Sequence, residues 1–297
     1  MSEAGIQRRP TLSRKSWASM ARHHHDRIEP WIKAFQNRKM TGQKHPVHDF
    51  LFEYYRCKRR LIKDWHPPIE FRLEGQDAQS FLKSPRYSED DQGVYLDPTE
   101  MTPDETSRMA WVVQLIENAL GKRNQHNCYG LHEWAMVYKE ERIRHQDTPL
   151  RLAPKEIERL IESHTVRCSH YDAFRFFTKE AQPLNTFQPT QEERLNNEQF
   201  GCIHFNMDLF KWCYKLHPWI SSELVLKCFF LATEARELDM RASPYDLRHY
   251  ELTPIFIETA EGRTHYQVLQ MEITNKGRAL ARLFLDECCK VMASSSH

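Results

Sequence analysis

Four apolar stretches of this chain carry histidines and carboxylates inside them rather than along a polar edge. They are YGLHEWAMVY (129–138), VRCSHYDAFRFF (166–177), CIHFNMDLFKW (202–212) and ATEARELDMRASPYDL (232–247). A buried ionisable group is costly unless it is paired, hydrogen bonded or bound to a metal. A chain with four such runs must therefore fold so that their polar groups meet. The expectation is one shared polar site inside a hydrophobic shell, which is how active and ligand sites are usually built.

With 297 residues, 40% of them hydrophobic, the chain can bury a sizeable core. It reads as a mainly α, single-domain helical fold with minor β structure: a basic N-terminal helical segment (1–40) followed by the main helical domain (41–297). Forty-two basic against 41 acidic residues give no global field for nucleic acid or anionic lipid. A local patch exists near the start, with Arg8, Arg9, Arg14, Lys15, Arg22 and His23 to His25, and it reads first as a solvated, frayed terminus. The eight cysteines include no CxxC and sit mostly in apolar runs, the pattern of reduced core thiols in a cytoplasmic protein. The first 15 residues are polar and basic, unlike a signal peptide. The longest apolar run, 224–232, is broken by Lys227 and is too short to span a bilayer, so no membrane partner is expected.

Apolar spacing and punctuation predict helices over 16–38, broken or kinked at Pro30, and over 45–65, ending at the HPP of 66–68. The segment 69–102 reads as an irregular polar excursion on the surface. Further helices are predicted from 104 to about 122, from near Gly130, over 155–164, within 201–216, from 222 to before Pro244, and over 262–292. A short strand is expected at 166–170, and loop around 145–154 and 178–199.

In the 201–216 segment, Ile203, Met207, Phe210 and Tyr214 form a core stripe, and His204 and Asp208 lie one turn apart in the adjacent row. That spacing suits a shared metal, a carboxylate orienting a histidine, or a boundary pair at the edge of the core. His132 and Glu133 resemble the start of an HExxH zinc motif, but Met136 stands where the second histidine belongs, which excludes that class. His132, His170 and His204 together offer three imidazoles, with Asp172 or Asp208 as carboxylate, a donor set suited to zinc or non-haem iron. The 222–242 helix begins apolar all round and then carries Glu234, Glu237 and Arg241 on one face, with Arg236 and Asp239 elsewhere. Its second half therefore either emerges into solvent or enters a polar pocket. No GxGxxG, GxxxxGK[ST], GxSxG or EF-hand loop occurs.

These runs, together with HPVHDFLFEYY (45–55), PLRL (149–152) and LDMRASPYDL (238–247), resemble a bacterial family commonly labelled 3-methyladenine DNA glycosylase, over roughly residues 44–266. The resemblance implies hydrolysis of an N-glycosidic bond to a damaged or modified purine, with DNA or a modified nucleoside as partner and no cofactor. The chain has no LPGxG helix-hairpin-helix followed by a catalytic Asp, so no catalytic residue is carried over by motif. Such chemistry needs a carboxylate and stacking aromatics. The carboxylate candidates are Asp208, Glu237 and Asp239, with His204 as partner; the substrate-binding candidates are Trp134, Phe174, Phe176, Phe177, Trp212, Arg241 and Tyr245. The alternative is a metal-dependent oxygenase or hydrolase acting on a small molecule, with zinc or iron on His132, His170 and His204. A third is a noncatalytic ligand-binding module.

Overall fold

The computed structural model of the chain describes residues 9–140 and 148–295; Arg8 and the start of the 145–154 segment lie outside them. The fold is mainly α with one small sheet, as the helical spacing predicts. At its centre, α9 (Ile203–Lys215) and α10 (Ser222–Arg241) pack on each other, and both pack against α11 (Ala260–Ser295). Every residue of α9 from Ile203 to Cys213 is buried, so its histidine, aspartate and lysine have no solvent face to turn to. Ser221 caps α10 by accepting a hydrogen bond from the Leu224 amide at 3.3 Å. α11 crosses α9 at Gly277, where an added Cβ would collide with Asn206 Oδ1.

The shorter elements are set around this centre: α4 (Pro103–Gly121), α5 (Leu131–Ala135), α6 (Pro154–Ser163), α7 (Tyr171–Phe174) and α8 (Arg194–Asn197). Thr102 and Glu105 form a reciprocal capping box that starts α4. The expected strand at 166–170 is reduced to a single bridge between Val166 and Asn185.

Three expectations are corrected. α1 (Arg14–Met40) runs through Pro30 without ending, because the buried stripe of Trp17, His24, Ile28, Ile32 and Phe35 holds it on both sides of the proline. The expected 45–65 helix is two short ones, α2 (Phe50–Glu53) and α3 (Arg59–Lys63), separated at Arg56, whose φ is 50°. The 69–102 excursion carries most of a four-stranded sheet. In it β1 (Thr11–Leu12) pairs in parallel with β2 (Arg72–Leu73), β2 pairs antiparallel with β4 (Gly93–Leu96), and β4 pairs antiparallel with β3 (Tyr87–Asp90). Trp17, Leu73, Ala78 and Val94 form a second small core there. The basic start is consequently tied down from Arg9 onward: Pro10 and Leu12 accept from the Arg72 and Glu74 amides at 3.0 Å. Strands of two to four residues are too short to display an alternating pattern.

No described helix is long and apolar enough to cross a membrane. Replacing Gly277 by Ala is expected to force α11 away from Asn206 and cost about 1–3 kcal/mol of stability, as overpacking does. Urea unfolding of Gly277→Ala beside the parent measures it; an unchanged midpoint would contradict this packing.

Candidate functional site

The site is assembled from α5, α9, α10 and the segment entering α7. Tyr129 and Gly130 are both left-handed, with φ of 50° and 74°, and the turn they make returns the Leu131 amide to the Cys128 carbonyl at 2.9 Å. Gly130 fits there because the backbone passes the Ala242 side chain closely. That turn launches α5 with its five residues buried, among them His132 and Glu133. Before His170, the Asn185 side chain clamps the Cys168 backbone, accepting from its amide at 2.7 Å and donating to its carbonyl at 2.8 Å.

The inner half of the site centres on Asp239, which is fully buried. One carboxylate oxygen lies 2.8 Å from His132 Nε2; the other accepts from Arg236 Nη1 at 2.9 Å and lies 3.9 Å from His204 Nε2. Arg236 Nη1 also donates to Glu133 at 2.6 Å, and the Phe50 ring covers its guanidinium at 4.0 Å. Cys128 Sγ lies 3.3 Å from the other ring nitrogen of His132. Thiol and carboxylate thus meet the two ring nitrogens of one imidazole, contacts that orient it for proton transfer. Burial disfavours a charged His132, but Asp239 and Cys128 outweigh it and hold the imidazole well above its usual range. His204, whose ring centroid is 4.5 Å from that of His132, is pushed well below its usual range by burial and by that neighbouring charge.

The outer half begins at His170, stacked on His204 with centroids 5.6 Å apart. Its ring nitrogens lie 3.3 Å from Glu198 and 3.7 Å from Asp208. Asp208 accepts from Tyr55 Oη at 2.9 Å, from Arg194 at 3.2 Å and from Lys211. Arg194 also pairs with Glu198 at 2.7 Å, and Lys211 with Asp172 at 3.1 Å. Asp172 is half-buried and meets Arg175 at the surface, 3.3 Å away. Burial works against ionised Asp208 and Glu198, yet Lys211, His170 and Arg194 keep the first, and His170 and Arg194 the second, below the ordinary carboxylate range.

The sequence-derived candidates separate into two sets. His132, His170, His204, Asp208 and Asp239 converge, although His204 faces Asp239 while Asp208 faces His170, so the pair one turn apart on α9 is not the pair in contact. Glu237 lies outside the cluster, on the outer face of α10, with Arg241 3.7 Å away, and Arg241 also donates to the Thr253 carbonyl. The second half of α10 therefore does both things the sequence allowed: Arg236 and Asp239 enter the pocket while Glu234, Glu237 and Arg241 face outward. Among the aromatic candidates, Trp134 is buried with its indole donating to the Ala242 carbonyl, and Tyr245 is buried beside the bridge to Leu150. Trp212 is buried under Lys211 and Arg194, at 4.4 and 5.4 Å. Phe174 packs on Phe177 at 5.2 Å, and Phe176 lies under Arg175.

Glu198, Arg194, Tyr55 and Cys128 were not singled out in the sequence. The i,i+4 spacing of Arg194 and Glu198 was their one local signal, inside a stretch read as loop.

A narrow crevice lined by Cys128, Cys168, Cys202, Tyr266 and Gln270 reaches His132 from one side. A wide hollow of about 920 Å³ lies elsewhere, lined by Phe50 and Tyr54. Those rings separate it from the cluster, since Phe50 covers Arg236 and Tyr54 donates to the Asp172 carbonyl.

No protein-family model, curated protein or solved structure matches the chain.

Replacing Arg236 by Met removes the guanidinium that Asp239 and Glu133 share and is expected to cost about 3–5 kcal/mol, the range for breaking a buried pair. Denaturant unfolding reads it, and a loss under 1 kcal/mol, roughly that of a surface pair, would contradict the arrangement. Because Asp208 and Glu198 are held below their unfolded values of roughly 4, their contribution is present above that pH. It is lost as pH falls through the lower folded values. The melting temperature should therefore drop on acidification below about pH 4, and less steeply in Asp208→Asn, as followed by circular dichroism.

Proposed function

We propose that the chain is a metal-dependent enzyme acting on a small molecule, with zinc or non-haem iron held by His132, His204 and Asp239 and with Glu133 as a further donor. One observation carries this: four buried groups from three helices offer ligand atoms that all lie within 4.8 Å of one another. Two imidazoles and two carboxylates are a donor set suited to zinc or iron. His204 Nδ1, buried and without a hydrogen-bond partner, adds support. His170 belongs with Asp172 and Asp208 in a second group, whose carboxylates Lys211 and Arg194 already engage. Arg236 likewise engages both carboxylates of the first group, but that group brings two imidazoles against one, and on that ground it is the better seat for an ion.

A bound ion would polarise a substrate carbonyl or activate water. Since an imidazole or carboxylate must be unprotonated to bind an ion, metal uptake should release protons and weaken as pH falls. The test is elemental analysis of protein purified without chelator, together with His132→Ala, His204→Ala and Asp239→Ala. About one equivalent of zinc or iron, lost in each variant, is expected. Protein that takes up neither metal, even when offered it, would end this reading.

Hydrolysis of an N-glycosidic bond is the second reading, favoured by Asp239, a carboxylate held deep between Arg236 and His132, the latter lining the crevice. Release of a base from methylated DNA or a modified nucleoside in the presence of chelator would support it against the metal reading.

A further inference from the structure

Outside the crevice that ends at His132, the surface opens into two hollows of about 240 and 440 Å³. Gln125 stands in the walls of all three, Arg167 joins the crevice to the larger hollow, and Arg123 and Phe187 line both hollows. The three spaces share these walls, and the crevice itself, of about 10 Å³, has room for about one water between the hollows and His132. Among the described residues their walls hold no aspartate or glutamate, whereas they hold Lys122, Arg123 and Arg167. In a chain whose basic and acidic residues number 42 and 41, an entrance with cations alone is a local departure from balance.

The lysine is engaged, its ammonium donating to the Leu195 and Glu198 carbonyls at 2.8 and 3.0 Å. Arg123 and Arg167 are exposed and make no ion pair among the described residues. Deeper in, Tyr266 Oη and Gln270 Oε1 line the crevice, are almost fully buried and have no hydrogen-bond partner. A buried polar atom in that state calls for a ligand or water to complete it. Here a hydroxyl donor and a carbonyl acceptor, one helical turn apart on α11, line the same crevice as His132.

We infer that the two hollows admit a small organic anion bearing a planar ring. Its phosphate or carboxylate meets Arg123 and Arg167 and its ring packs on Phe187, at the mouth of the crevice whose Tyr266 and Gln270 a water completes. Guanidinium groups pair with either anion through two parallel hydrogen bonds, and in a concave wall without acids their attraction is opposed by no like-signed neighbour of the ligand. The inference rests on the proposed site for where the chemistry happens and adds the class of ligand received at its entrance. It is measured by binding, so the two can fail separately: protein without metal would sink the first and leave the second to be read.

The test is titration calorimetry of the full chain, as purified and after chelation, with phenyl phosphate, benzoate, inorganic phosphate and phenol as probes. Saturable binding of an aryl anion is expected, about tenfold tighter than either inorganic phosphate or phenol, and weakened by added salt. Whichever of phenyl phosphate and benzoate binds better names the anion. The Arg123→Gln, Arg167→Gln double variant, at two exposed positions, should weaken binding about tenfold with an unchanged melting temperature. Phe187→Leu should remove the preference for the ring while leaving inorganic phosphate binding alone. Failure of both aryl anions to saturate, equal binding of phenol, or a double variant that binds like the parent would each overturn the inference.

Discussion

Asp239 is the group on which the site depends. It is fully buried on a helix packed mainly against α9 and α11, and it survives there because His132 and Arg236 reach it from α5 and from one turn earlier on α10. Arg236 in turn holds Glu133, so one guanidinium ties α5 to α10. An isolated buried carboxylate would neutralise or destabilise the fold. Meeting that requirement brings two histidines, two carboxylates and a thiol into one small volume. Stability and the proposed chemistry thus draw on the same contacts, which the turn at Tyr129 and Gly130 brings into place.

The two halves of the cluster differ in kind. Around Asp208, lysine, arginine and tyrosine supply donors to the carboxylate, and the group continues through Asp172 to Arg175 at the surface. Around His204 the imidazole lacks a partner at Nδ1 and is held towards its neutral form, the form that binds metals. The stack of His170 on His204 joins the halves, so a charge taken up on one side is felt on the other.

Much of the site was legible because the sequence placed ionisable residues where only apolar ones are cheap. His132, His170, His204, Asp208 and Asp239 all belong to the four runs that violate the usual helical pattern, and they converge. Glu237 misled because one polar position on a half-buried helix looks like another until the helix is rotated into its packing. Glu198 and Arg194 lay in a segment without periodicity, where a one-turn helix leaves almost no signature. The small sheet escaped for the same reason, its longest strands having four residues.

The sequence by itself determined that the chain is mainly helical and that a set of its histidines and carboxylates lies within apolar runs. Periodicity is a local property, and the cost of burying charge is readable residue by residue. Only the tertiary structure decided the pairings: that His204 faces Asp239 rather than Asp208, and that Arg236 spans to Glu133, more than a hundred residues away in the chain. It also decided that the basic start is stitched to the excursion at 69–102. Spacing along one helix says which side chains share a face, but the partner across that face is chosen by how separate helices pack, and no local pattern encodes it.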